Sequence, residues 1–149
     1  MATMQRLLPL AGFAIFFCAT SALGQNSKIL QGDIPFRFHV ADQHFAPGTY
    51  EVQVHYPYRN CFAVKPFGGK GGAFGRFVYS GRGQEADSYA SKLVFKKYGK
   101  DEYFLSEIWH PWVSESMLLP QSQHEVITSK LVAGLQPERV VVMAAVRHP

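Results

Sequence analysis

Apolar and polar residues alternate through much of the chain from Ile34 onward, and a period of two predicts strands. Ile34, Phe36, Phe38 and Val40 share one face of a first run, with Arg37 and His39 opposite. Pro35 cannot donate to a ladder, so this strand begins there or runs along an edge. Phe45-Ala46-Pro47-Gly48 then sets a turn, after which Tyr50, Val52 and Val54 alternate with Glu51, Gln53 and His55. The two runs read as an antiparallel pair. Residues 61–65 and 76–80 supply shorter strands on either side of a glycine-rich loop, Gly68 to Gly75. Residues 92–98 and 102–109 flank Gly99-Lys100-Asp101 as the clearest hairpin. The apolar run 139–146 suits a central strand covered on both faces.

One helix is expected. Ser122-Gln123-His124-Glu125 fits a capping box, in which serine and glutamate satisfy each other's orphan amides. Val126, Ile127, Leu131 and Val132 give that helix an apolar face, and Gly134 stands where a terminating cap would be. About seven strands and one short helix, without a repeating βαβ pattern, imply an all-β domain: an antiparallel β-sandwich or a small closed β-barrel.

The first 24 residues follow a different pattern. Arg6 precedes an apolar stretch from Leu7 to Cys18, and Ala22 and Gly24 are small residues before Gln25. A charged start, an apolar core of roughly 7–15 residues and a small-x-small exit define a secretory signal. A membrane-crossing helix needs about 20 apolar residues, more than this run offers. Residues 1–24 are therefore read as a signal peptide and 25–149 as a single β-rich domain without a transmembrane segment. Phe17 before Cys18 argues against a lipoprotein. Cys61 is then the one cysteine of the mature chain, in a strand-like context that favours a buried thiol. Losing Arg6 lowers the formal net charge of +4 to +3, a mild basicity spread along the chain, which makes nucleic acid an unsuitable partner.

The segments Ile34-Pro35-Phe36-x-Phe38-x-Val40 and Pro47-Gly48-Thr49-Tyr50-x-Val52 resemble a family of small exported proteins found mainly in acidobacteria. Leu93 to Gly99, Tyr103-Phe104-Leu105-Ser106-Glu107-Ile108-Trp109 and Leu119-Pro120-x-Ser122-x-x-Glu125 continue the likeness in order. It departs at the Gly68–Gly75 loop and at the 140–146 strand. The family is functionally uncharacterised, so the resemblance implies export and a β-rich domain but no reaction.

Candidate chemistry is sparse. No P-loop run and no Gly-x-Ser-x-Gly elbow occurs. His39, His44 and His55 lie near one another along the first two runs, with Glu51 able to join them. No compact ligand motif such as His-Glu-x-x-His is present, so solvent-exposed polar positions, with no metal and no cofactor, are the expectation. Glu107 lies on an aromatic-rich strand and would serve as a general acid if it faced inward. Trp109-His110-Pro111-Trp112, with Tyr103 on the strand face of Trp109, forms the candidate ligand platform: Tyr103, Trp109, His110 and Trp112. Packing at the end of the core accounts for the same residues.

The chain is thus expected to be an exported, non-catalytic binding or envelope-associated interaction module, periplasmic or extracellular, with a glycan, lipid or envelope component as partner. Two alternatives stay open. One is a secreted hydrolase using Glu107 or a histidine. The other is a barrel-type carrier of a small apolar ligand, lined by Phe36, Phe38, Tyr50, Phe95 and Phe104.

Overall fold

The computed structural model describes residues 27–55, 59–83, 90–111 and 113–147; the expected signal peptide and Trp112 lie outside them. In chain order the elements are β1 (Ser27–Ile34), β2 (Phe38–Val40), β3 (Gln43–Phe45), β4 (Gly48–His55), β5 (Cys61–Pro66), β6 (Ala73–Arg76), β7 (Val78–Gly83), β8 (Lys92–Tyr98), β9 (Glu102–Trp109), β10 (Glu115–Leu118), α1 (Gln123–Leu131) and β11 (Glu138–Arg147). The ladder runs β3-β2-β9-β8-β11-β1-β4-β5-β6, and β10 joins β9 to β7. Only Phe77 separates β6, which pairs with β5, from β7, which pairs with β10. That one bent run brings the sheet back on itself as a nearly closed barrel, which leaves few exposed edges. Phe77 holds the bend: its amide donates to the Asn60 carbonyl at 3.0 Å and its side chain is buried.

The inward faces fill the barrel. Leu30, Val52, Val54, Phe62 and Val64 meet Leu93, Phe95, Leu105, Ile108 and Met117 in one core. Phe38 sits edge-on to both Tyr50 and Phe95, at 4.9 and 5.5 Å between ring centroids, a favoured arrangement of aromatic quadrupoles. The Cys61 thiol is free and buried, in line with its strand context. Among the described residues no helix is long and apolar enough to cross a membrane.

The all-β class with a single short helix is as the alternation implied, but several details differ. The expected pairing of the first two runs does not form. The chain instead turns at Ala41-Asp42, with Ala41 at φ 52°, so that β2 pairs with β3, while β4 lies between β1 and β5. β11 is a central strand, between β8 and β1, yet only one of its faces is covered: Val140, Val142, Ala144 and Val146 pack on the core, and Val141 and Met143 face solvent.

The phase of β9 also shifts. Val94 pairs with Glu107 but Phe95 pairs with Leu105, so Ser106 is an extra, bulged residue. Its hydroxyl donates to the Val94 carbonyl at 3.0 Å, and its own carbonyl accepts from the Leu119 amide at 2.9 Å. The side chains before and after the bulge therefore do not follow one alternation.

Candidate metal centre

Four elements converge on one patch outside the main core. β2 and β3 are joined by a two-residue turn, which places His39 and His44 directly opposite each other across the ladder. Their rings lie 4.3 Å apart. β2 also pairs with β9, His39 against Phe104, and the His39 ring stacks on Phe104 at 4.5 Å. Glu102, two residues earlier on β9, carries its carboxylate to the imidazole: His39 Nε2 lies 2.9 Å from Glu102 Oε2.

α1 brings the fourth group. The Ser122 hydroxyl accepts from the Glu125 amide at 3.1 Å, the capping contact that the sequence anticipated. Asp42, in the β2–β3 turn, accepts from the His124 amide at 3.3 Å, a placement that the positive end of the helix dipole favours. His124 consequently stacks on His39, 4.7 Å between ring centroids, and its Nε2 reaches Glu102 Oε2 at 3.6 Å.

The helix docks by polar contacts. Its buried residue is Glu125, which accepts from the Tyr98 hydroxyl at 3.0 Å and from Gln121 at 3.3 Å, with Lys96 at 3.8 Å. Of the expected apolar face, Ile127 and Leu131 are 55% and 81% exposed, while Val126 and Val132 are half-buried. That carboxylate lifts the Tyr98 hydroxyl, already raised by burial, to about 12.

Ligand atoms of His39, Glu102 and His124 all lie within 4.8 Å of one another. Bonds of about 2.0–2.1 Å to a tetrahedral ion set ligand atoms about 3.4 Å apart, so the set is within about 1.4 Å of coordination spacing. His44 is exposed and lies beside this set, its ring 5.7 Å from that of His124.

Burial holds the His39 imidazole below its usual 6.5. The neighbouring His44 and His124 act in the same direction, against the pull of Glu102. A neutral imidazole keeps the lone pair that a metal needs. His39 Nδ1 is buried and meets no hydrogen-bond partner among the described residues; the ring is held by its Nε2 contact with Glu102 and by stacking on Phe104. Imidazoles with one carboxylate suit zinc, copper and nickel better than magnesium or calcium, which prefer oxygen.

The sequence expected His39 on a solvent-exposed polar face, grouped with His55 and Glu51. The structure buries His39 against Phe104 and α1. His55 lies at the end of β4 opposite Cys61, and Glu51 is held by Arg147 at 3.0 Å and Lys65 at 3.3 Å. The two other members of the cluster had structural readings in the sequence: Glu102 opens the second strand of the 92–109 hairpin, and His124 falls inside the capping box. Their signal is tertiary, since it appears only when α1 is laid against β2 and β9.

The expected aromatic platform is divided by the bulge. Tyr103 turns inward, stacked on Phe36 at 4.0 Å, whereas Trp109 lies on the opposite face, beneath the Lys92 ammonium at 4.5 Å. His110 is 1% exposed, with its basicity pushed down to about 4 by burial and by the charge of Lys28. Glu107 does not face inward: it accepts from Trp109 Nε1 at 2.8 Å and pairs with Arg139 at 3.6 Å. Phe104, expected inside a ligand-carrying barrel, instead belongs to the outer patch beneath α1.

Fold and site together define a nearly closed β-barrel with a helix-capped histidine–carboxylate cluster on its outer wall. The chain matches no protein-family model, no curated protein and no solved structure.

Proposed function

We propose that the protein is an exported, non-catalytic binding module whose ligand is a divalent transition-metal ion of the zinc and copper group. The observation that carries this reading is the convergence of His39, Glu102 and His124 from three separate elements, with His44 alongside. Residues 39, 102 and 124 are far apart in the chain, and no ladder register by itself demands imidazoles and a carboxylate at that junction. The amino-terminal pattern of Arg6, an apolar stretch and small residues before Gln25 supports export, as does the resemblance to small exported proteins. The Glu107 carboxylate is engaged by Trp109 and Arg139, which supports binding over a hydrolase built on that residue.

The test is calorimetric titration of zinc chloride into the purified protein. One ion per chain is expected, with binding abolished in His39→Ala and weakened in Glu102→Gln. At about a hundred times its dissociation constant, zinc should raise the unfolding free energy by about 2.7 kcal/mol, since it binds only the native arrangement. Absence of both heat and thermal shift in the unaltered protein contradicts the proposal.

A further inference from the structure

Resting on that metal reading, we infer that the ion is a latch: its occupancy sets how firmly α1 is held on the barrel. Of the three converging groups, His39 and Glu102 belong to the barrel wall and His124 alone belongs to the helix. An ion bound by all three therefore ties one body to the other.

The helix has little else to hold it. Nine residues do not sustain a helix in water without packing, and α1 buries only Glu125 while Ile127 and Leu131 face solvent. Among the described residues its anchors to the barrel are the Tyr98 hydrogen bond and the Lys96 contact to Glu125, the Asp42 contact to the His124 amide, and ring stacking of His124 on His39. Apart from the buried Tyr98–Glu125 bond, these contacts lie at the solvent edge, as in a segment that opens more readily than a core strand. What lies beneath is aromatic: Phe104 and Tyr98 are 2% and 5% exposed, and the Phe104 ring sits 5.6 Å from that of His124. Loss of the ion converts into more frequent uncovering of these rings. Coupling of this kind is reciprocal, so whatever loosens α1 must also weaken the metal.

Hydrogen exchange of the full chain, followed by mass spectrometry in zinc chloride and in EDTA, tests the latch. Amides of residues 124–132 should exchange about tenfold more slowly with zinc, while those of β1 and β4 stay unchanged. His124→Ala should remove that difference. Tyr98→Phe deletes no metal ligand; it should speed exchange of α1 in EDTA and lower zinc affinity by the factor by which it lowers the docked population. Calorimetric zinc binding with identical α1 exchange in both conditions overturns the latch alone, as does a Tyr98→Phe variant that loosens α1 at full zinc affinity. No heat on zinc addition overturns the metal reading and the latch with it.

Discussion

Mild acid should destabilise this protein through its histidines before its carboxylates titrate. His110 follows the last residue of β9, is 1% exposed, and has its basicity lowered from 6.5 to about 4 by burial and by Lys28. The unfolded chain takes up a proton on this side chain near its ordinary value, and the folded chain does so only near the lowered one. Between the two, the unfolded state binds more protons, so stability falls as pH falls. The gap of about 2.5 units, at 1.36 kcal/mol per unit, amounts to about 3 kcal/mol lost across the window. That is a large share of the 5–15 kcal/mol typical of a domain. His39, also lowered, adds loss of the same sign. The assay is urea unfolding in EDTA at steps from about pH 7 to pH 4.5, comparing the unaltered protein with His110→Asn. The slope should reach at least about one proton per molecule in the original and fall by up to about one in the variant, which keeps the His39 contribution. A flat profile in the original, or a His110 ring that titrates near 6.5 by NMR, refutes the reasoning.

Phe38→Ala removes a side chain that is 1% exposed and packed on Phe45, Tyr50 and Phe95, and should cost about 3–5 kcal/mol in chemical denaturation. Gly72→Ala places a methyl against the Val64 carbonyl at φ +152°, and should lower stability by about 1–3 kcal/mol without altering zinc binding. Met143→Lys, on the uncovered face of β11, should change stability by no more than about 0.5 kcal/mol; a loss of several kcal/mol would mean that this face is covered.

Local signals carried the fold class. Gly99 at φ 60° closes the β8–β9 hairpin as its glycine implied, and Ser122 caps α1 as the spacing to Glu125 implied. Failures came where a local pattern has two tertiary outcomes. The apolar run of β11 serves equally for a strand covered twice and for one whose outer side chains stay in solvent, as Val141 and Met143 do. Period-two counting from Tyr103 to Trp109 places both on one face, and the single bulged Ser106 reverses that. A Pro-Gly turn between alternating runs suggested a hairpin, but Ala41-Asp42 made a shorter one first. The histidine–carboxylate cluster was the least legible feature, because its members sit at positions 39, 102 and 124. The helix that supplies His124 docks through buried Glu125, with Ile127 and Leu131 of its apolar pattern left in solvent.

The most direct test is X-ray absorption at the zinc edge of the zinc-loaded protein. The account predicts a first shell of nitrogen and oxygen at about 2.0–2.1 Å, with the outer-shell scattering of at least two imidazoles and no sulfur. A shell of water oxygens without imidazole scattering, or a sulfur at about 2.3 Å from Cys61, would contradict it.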